Sequence, residues 1–280
     1  MCILFAAFSF SCMNLMIRLA GDVPTFQKSF FRNLIAMMIA AVLLAREGKG
    51  FGPASWKNLP VLLARGCFGT VGILCNFYAV DHLLMSDASM LSKMSPFFAV
   101  IASVFLLKET LKPVQVVSLV GAFVGALCII KPTLTNMDLG ASVIGFMGGV
   151  TAGLAYTCVR ILGQRGERGS FIVFFFSAFS CLSMLPFVLL AGEPMTMQQT
   201  LTLIGAGVAA AGGQFGITGA YRCAPAREIS VYDYSQVIFS AVLGFFAFGD
   251  MPDGLSFLGY FIICAMAVLN FWYNNHHKPQ

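Results

Sequence analysis

The chain has 280 residues, of which 58% are hydrophobic and only 10% are charged. A soluble domain usually carries about 25% charged residues, so this composition excludes an ordinary water-facing surface and indicates a polytopic membrane protein. The net charge of +5 does not indicate nucleic-acid binding, because the basic residues lie between apolar segments and form no stripe. The nine cysteines form no CxxC pair, so we expect small buried side chains and no metal site.

Ten apolar runs of about 20 residues, the length that crosses a bilayer, follow one another along the chain. Short connections with glycine and proline separate them, so neighbouring spans should run antiparallel. We therefore predict an all-α membrane protein with ten transmembrane helices, near residues 1–20, 25–45, 58–80, 86–107, 112–131, 139–161, 170–191, 199–221, 228–249 and 254–273.

The distribution of Lys and Arg predicts the orientation. One side of the predicted membrane holds Arg46, Lys49, Lys57, Lys108, Lys112, Arg160, Arg165, Arg168, Arg222, Arg227 and Lys278. The other side holds only Arg18, Lys28, Arg32 and Lys131. Because basic residues accumulate on the cytoplasmic side, we expect both termini there, in a multi-pass protein of the cytoplasmic (plasma) membrane.

The second half of the chain resembles the first. When the sequence is aligned with itself at an offset of 141, the matched pairs include Gly66 with Gly207, Gly72 with Gly213, Ser89 with Ser230, Phe105 with Phe246 and Glu109 with Asp250. The first two spans align less well, near an offset of 145. Five is an odd number, so a second copy of five spans starts from the opposite side of the membrane. The sequence therefore predicts two inverted five-helix repeats, residues 1–134 and 135–280, a design that recurs in secondary transporters.

Short motifs occur in a fixed order along nearly the whole chain. The first half contains Ser29-Phe30-Phe31-Arg32-Asn33, Arg65-Gly66-Cys67-Phe68-Gly69, Phe77-Tyr78-Ala79, Ser86-Asp87-Ala88, Ser95-Pro96-Phe97-Phe98 and Leu107-Lys108-Glu109. The second half contains Ala220-Tyr221-Arg222-Cys223-Ala224-Pro225-Ala226, Ser230-Val231-Tyr232-Asp233-Tyr234, Phe248-Gly249-Asp250, Pro252 and Leu258-Gly259.

In their order and spacing these motifs resemble the EamA branch of the drug/metabolite transporter superfamily. The resemblance implies ten helices around a central cavity, lined mainly by helices one, three, four, six, eight and nine. It also implies transport of small metabolites, often outward. Lys93 departs from the pattern, since many members have a neutral residue there. The resemblance therefore transfers no amino-acid or sugar specificity to this chain.

Two charged residues lie deep within predicted spans. A charge in hydrocarbon costs at least a few kcal/mol, so Lys93, about two turns inside span four, should face water, a counter-charge or a substrate anion. Asp233 lies about two turns inside span nine, and the offset of 141 pairs Lys93 with Tyr234 and Ser92 with Asp233. We expect the lysine and the aspartate to face each other. Two interpretations stay open, a static ion pair and a pair that opens for an anionic substrate or a proton.

Two arginines are candidates for a gate or an anion contact. Arg32 begins span two near the outer interface, where contact with lipid headgroups is the competing interpretation. Arg65 lies further inside span three, where it fits either a cytoplasmic gate, a carboxylate site or a structural pair. Neutral polar residues in the spans fit interhelical hydrogen bonds or substrate contact, and the candidates are Asn14, Asn76, Ser89, Ser92, Tyr156, Gln214, Ser230, Tyr234 and Gln236.

Small residues form two further patterns. Gly66, Gly69 and Gly72 recur in span three, where they should permit close helix packing. Gly121 and Gly125 form a small-xxx-small face in span five, for which we expect a contact within the repeat or in a dimer.

These observations predict a secondary transporter that moves a small anionic or zwitterionic metabolite by alternating access, as an exporter or exchanger. We expect no cofactor, a monomer or homodimer, and counter-exchange of a proton or a second substrate. An enzyme is not expected, because no HExxH or GxSxG motif is present. A channel of the same fold and a non-transporting sensor or scaffold remain alternatives.

Overall fold

The computed structural model describes residues 1–48, 50–82, 91–130, 139–249 and 253–276, and within these ranges it contains helices and no strand. The helices are α1 (Cys2–Leu19), α2 (Thr25–Glu47), α3 (Leu59–His82), α4 (Ser95–Leu107), α5 (Pro113–Ile130), α6 (Leu139–Gln164), α7 (Gly169–Ala191), α8 (Met197–Cys223), α9 (Ala226–Asp233), α10 (Ser235–Phe248) and α11 (Gly254–His276). A short 3₁₀ turn, Trp56–Asn58, leads into α3.

Within the described ranges, nine helical segments are long and apolar enough to cross a membrane, with α9 and α10 together forming one of them. The shorter α4 is also apolar. Only helices satisfy all their backbone hydrogen bonds within one segment, so apolar runs of this length fold as helices in a bilayer. The predicted all-α membrane class is confirmed. Large apolar side chains such as Phe105, Leu190 and Phe246 are exposed, as expected for a surface that lipid covers.

Within the described residues, the helices of the predicted spans four and nine are each interrupted. Lys93 and Met94 form a turn immediately before α4, and Tyr234 separates α9 from α10. Both interruptions contain backbone hydrogen bonds of the tighter i to i+3 type, Phe97 N to Met94 O at 3.0 Å and Val237 N to Tyr234 O at 3.0 Å. Lys93 therefore lies at a helix break and not inside an unbroken helix.

Four extensive helix interfaces organise the bundle, namely α1 with α8, α2 with α7, α3 with α6, and α5 with α11. Each joins a helix from residues 1–134 to one from residues 135–280. Glycines allow these approaches. A Cβ added at Gly72 of α3 would lie 3.1 Å from Thr151 Oγ1 and 3.3 Å from the Ala152 nitrogen of α6. The two segments of the chain thus interlock and do not form separate bodies.

The small-residue face in α5 serves a different contact from the two that the sequence suggested. A Cβ at Gly125 would lie 3.0 Å from the carbonyl oxygen of Gly259 in α11, and one at Gly121 would lie 2.5 Å from Met266 Sδ. The predicted contact within one repeat or in a dimer is therefore wrong. The glycines of this face let the last helix approach closely.

Candidate substrate-binding site

The two helix breaks meet in the interior. The hydroxyl of Tyr234, which is fully buried, donates a hydrogen bond of 3.1 Å to the backbone oxygen of Lys93. The breaks thus lie side by side, and α4 and α10 both begin beside them, at Ser95 and Ser235. A helix N-terminus carries a partial positive charge. Broken helices of this kind hold ligands in secondary transporters.

The lysine cluster consists of Lys93, Asp233, Tyr234 and Gln236. The lysine Nζ donates to Gln236 Oε1 at 2.6 Å and lies 3.7 Å from Asp233 Oδ2. Lys93 is 9% exposed and Asp233 is 5% exposed, so the ion pair is largely removed from solvent. The geometry supports the expectation that these two charges face each other. The Lys93 ammonium is closer to the neutral amide of Gln236 than to the Asp233 carboxylate, so both side chains are its partners.

The arginine cluster consists of Arg32, Arg65, Phe176 and Gln214. Arg32 is 5% exposed and Arg65 is 3% exposed, and the two guanidinium groups interact electrostatically. Arg65 Nη2 donates to Gln214 Oε1 at 3.2 Å, and its Cζ lies 4.0 Å from the centroid of the Phe176 ring. A Cβ at Gly69 would overlap Arg65 Nη1, so this glycine makes room for the guanidinium.

The burial of Arg32 does not fit the lipid-headgroup contact. Its side chain lies in the protein interior, and its Nε, like the Nε of Arg65, is buried and has no hydrogen-bond partner in the described part of the chain. Within the described ranges no carboxylate forms an ion pair with either guanidinium. An arginine side chain stays protonated in proteins, so among the described residues this cluster holds two buried positive charges without an ion-pair partner.

Two stacked tyrosines connect the clusters. The rings of Tyr156 in α6 and Tyr221 in α8 are 5.0 Å apart with an interplanar angle of 21°. The hydroxyl of Tyr221 is 3.4 Å from Ser230 Oγ. Tyr156 is within electrostatic range of Asp233 as well as of Arg32 and Arg65. The lysine cluster and the arginine cluster therefore belong to one polar region.

This polar region is positively charged. Among the described residues, the charged side chains of the two clusters are Arg32, Arg65, Lys93 and Asp233, so three basic groups stand against one acidic group and the formal charge is +2. Buried charges without partners are costly, and arginine binds carboxylate and phosphate groups through parallel hydrogen bonds. The arrangement is therefore suited to an anion.

The structure does not bring all predicted site residues together. The contacts described above involve five of the predicted polar residues, Gln214, Ser230, Tyr156, Tyr234 and Gln236. Among the remaining predicted residues Asn14 is exposed, Asn76 and Ser92 are half-buried, and no side-chain hydrogen bond joins these three to other described residues. Ser89 lies outside the described residues.

The sequence interpretation missed Phe176 and Tyr221 as site residues. Phe176 belongs to an apolar run in which nothing distinguishes it from its phenylalanine neighbours, and only the packing of α3 on α7 places it over Arg65. Tyr221 belongs to one of the family motifs. Its position next to Arg222 at the end of an apolar span is a feature from which a site residue could be predicted.

A family model described as the EamA-like transporter family matches residues 1–131. The pseudopaline exporter of Pseudomonas aeruginosa is 30% identical over 269 residues, which cover 94% of this chain and 92% of that protein. The riboflavin transporter of Vibrio cholerae is 29% identical over 78% of this chain and 72% of its own length. Human solute carrier family 35 member G1 is 23% identical over 97% of this chain and 79% of its own length.

The fold is similar to that of a protein of known structure. One crystal structure superposes with a TM-score of 0.81 at 17% sequence identity, and the alignment covers 99% of this chain and 98% of the other. At this identity the likeness concerns the fold alone. The relatives above carry transporter names, which together with the apolar helices indicates an integral membrane transporter with a small-molecule substrate.

Proposed function

Because the chain belongs to the EamA-like transporter family, we propose that it is a secondary transporter for a small anionic metabolite. It moves this substrate across the cytoplasmic membrane by alternating access, as an exporter or exchanger. The exporter direction draws support from the relative named as a pseudopaline exporter. That relative matches this chain over nearly its whole length.

The observation that carries the substrate class is the excess of two buried positive charges. Among the described residues no carboxylate forms an ion pair with Arg32 or Arg65, while Asp233 lies beside Lys93. A substrate with one or two carboxylate or phosphate groups supplies the missing negative charge. The N-termini of α4 and α10 add a favourable field for the same anion. A zwitterion fits if its ammonium group replaces Lys93 beside Asp233.

The proposal includes ten spans in two inverted repeats, residues 1–134 and 135–280. Backbone conformation supports the repeat at the offsets that the sequence suggested. Lys108 and Gly249, which the offset of 141 relates, both have positive φ, at 54° and 73°. Gly21 and Gly166, which the offset of 145 relates, also share it, at 66° and 75°. The breaks at Lys93 and Tyr234 are again related by the offset of 141.

A difference between the two ends of the bundle supports alternating access. The ends of α6 and α8 touch closely, since a Cβ at Gly163 would lie 2.7 Å from Arg222 Cα. Arg160 also donates to the Arg222 backbone oxygen at 3.2 Å. Their counterparts α1 and α3 form no comparable interface among the described residues. With the predicted orientation, the closed end is cytoplasmic and the substrate path opens outward. If α1 and α3 closed together while α6 and α8 separated, the path would open to the cytoplasmic side.

Ligand binding tests the proposed substrate class. Purified protein in detergent should gain thermal stability with succinate, glutamate or pseudopaline, because a ligand that binds the folded state stabilises it by about 2.7 kcal/mol at 100 times its Kd. Riboflavin, which is uncharged, serves as the comparison. Arg32→Gln and Arg65→Gln should lose this gain. Without ligand both variants should be about as stable as the parent, because each removes a buried charge that has no ion-pair partner among the described residues.

Arg165→Gln is the matched control, because it removes an exposed arginine outside the polar region. It should keep the ligand response. The proposal fails if both buried-arginine variants lose several kcal/mol of stability without ligand and still respond to the anion. Such a result would mean that the two arginines stabilise the fold and do not bind the substrate.

Topology requires a separate test. Reporter fusions at Gln280 and after Gly192 should report opposite sides of the membrane, with Gln280 on the cytoplasmic side. The two positions are separated by three predicted spans. The same side for both would contradict the inverted repeat without touching the question of the substrate.

A further inference from the structure

A second polar site, which shares no residue with the lysine and arginine clusters, lies at the edge of the bundle. It is a groove of about 450 Å³ where the end of α2, the beginning of α7 and the last turns of α8 meet. Leu43 and Phe215 line its apolar part, and Arg46 and Arg222 line its polar part. We call it the interfacial groove, because these residues lie at the ends of membrane spans.

The positive charges of the groove are not compensated by its one acidic residue. Glu47 accepts a hydrogen bond of 2.6 Å from Ser170 Oγ through Oε1, and its Oε2 lies 3.5 Å from Arg168 Nη1. The carboxylate is therefore engaged by groups other than Arg46 and Arg222. Within the described ranges neither of these two side chains has an ion-pair partner, and Arg222 Nε is buried without a hydrogen bond.

A buried hydroxyl in the groove also lacks a partner. Thr218 lines the groove and is 1% exposed, yet its Oγ1 forms no hydrogen bond with another described residue. Buried hydroxyl groups nearly always have a partner, and a helical threonine usually bonds to the preceding turn. Gly169, at the start of α7, lines the same groove, and the helix N-terminus adds a partial positive charge. The donors that face the groove without a partner thus suit an anionic group.

We propose that the interfacial groove binds the phosphate group of an anionic phospholipid. Arg46 and Arg222 hold the phosphate, Thr218 donates a hydrogen bond to the bound headgroup, and an acyl chain follows Leu43 and Phe215. Basic pockets between transmembrane helices at the membrane surface bind anionic headgroups in this way. A lipid accounts for the apolar lining, which a soluble phosphate would leave uncovered.

The position of Arg222 gives this lipid a role in the closed end of the bundle. The Arg222 backbone accepts the hydrogen bond from Arg160, and Gly163 of α6 packs against the Arg222 Cα. A phosphate that fixes the Arg222 side chain therefore stabilises the contact between α6 and α8. The proposal concerns lipid binding and stands independently of the transported substrate.

The test uses delipidated full-length protein in a neutral detergent. Short-chain phosphatidylglycerol should raise the melting temperature and appear as a bound species in native mass spectrometry, and short-chain phosphatidylcholine should not. Arg46→Gln, at an exposed position, should weaken the phosphatidylglycerol affinity roughly fivefold, the size expected for one arginine at a headgroup. Arg222→Gln should weaken it at least as much, and Thr218→Val should weaken it while keeping the fold.

The matched control is Arg165→Gln, which removes one basic residue on the same side of the bundle but outside the groove. It should bind phosphatidylglycerol like the parent protein. Equal weakening in this control would overturn the proposal, because the attraction would then depend on overall charge. Stabilisation by inorganic phosphate at the same concentration would overturn the lipid assignment and identify a soluble anion as the occupant.

Discussion

The two helix breaks have the same backbone form but different physical causes. Before α4 the interruption precedes Pro96, which lies in the first turn of the helix. Proline has no N–H, so the hydrogen bond from residue 96 to the carbonyl of Ser92 cannot form. Between α9 and α10 no proline is present. There the backbone N–H of Val237 is present, and it donates a hydrogen bond to the backbone oxygen of Tyr234 instead of that of Asp233.

The chemistry of the two breaks is complementary. The first presents Lys93, and the second presents Asp233, Tyr234 and Gln236. Each of these contacts pairs a group of one break with a group of the other. The second break thus has tertiary contacts with the first but no proline of its own, whereas the first has Pro96 beside it. This difference predicts which substitutions disturb both breaks and which disturb only one.

The largest effect is expected for the charges that join the breaks. Lys93→Met and Asp233→Asn should each reduce the free energy of unfolding by about 3–5 kcal/mol, because each leaves a buried partner uncompensated, and the double variant should recover most of the loss. Thermal stability in detergent, measured with and without the anionic ligand, checks the cycle. Lys57→Met, at an exposed position, is the control and should have little effect.

Transport distinguishes the two roles of this pair. If the pair is a static bridge, the double variant should recover stability and anion transport together. If the pair opens during transport, stability should return and transport should not. If the stability losses of the two single variants simply add in the double variant, Lys93 and Asp233 do not interact. The main contact between the two breaks would then be absent.

A smaller effect is expected for the hydrogen bond between the breaks. Tyr234→Phe leaves the backbone oxygen of Lys93 without its buried donor, which should cost about 1–2 kcal/mol. Tyr221→Phe is the matched comparison, because its hydroxyl makes only a longer contact of 3.4 Å with Ser230, and it should cost less. An equal loss in both variants would show that the Tyr234 hydroxyl has no special part in holding the second break.

The smallest change in stability is expected at the proline. Pro96→Ala allows span four to continue as a regular helix, and its effect on the free energy of unfolding should stay within about 1 kcal/mol. Ligand binding should nevertheless weaken, since Lys93 would turn with the helix away from Gln236. Pro113→Ala, at the first residue of α5, makes the same exchange where no break exists. This variant should leave ligand binding unchanged. Weaker binding in Pro113→Ala would mean that the loss of a proline, and not the loss of the helix break, lowers the affinity.

The sequence alone was sufficient for the class of protein and for most helix boundaries. Apolar runs of bilayer length must form helices, because hydrocarbon offers the backbone no other hydrogen-bond partner. The predicted span at 25–45 corresponds to Thr25–Glu47, and the one at 170–191 corresponds to Gly169–Ala191. The family followed from the order of motifs. Lys93 and Asp233 were recognisable as important because isolated charges in apolar runs are costly.

Only the tertiary structure decided how these charges are used. Arg32 lies close enough to a span end for contact with headgroups, and the packing of α2 within the bundle buries it in the interior instead. The break at Tyr234 contains no proline, and its side chain bonds to Lys93 in the other half of the chain. Local sequence specifies which segments become helices. The partner of a buried charge depends on which helix faces meet, and that is a property of the whole packed bundle.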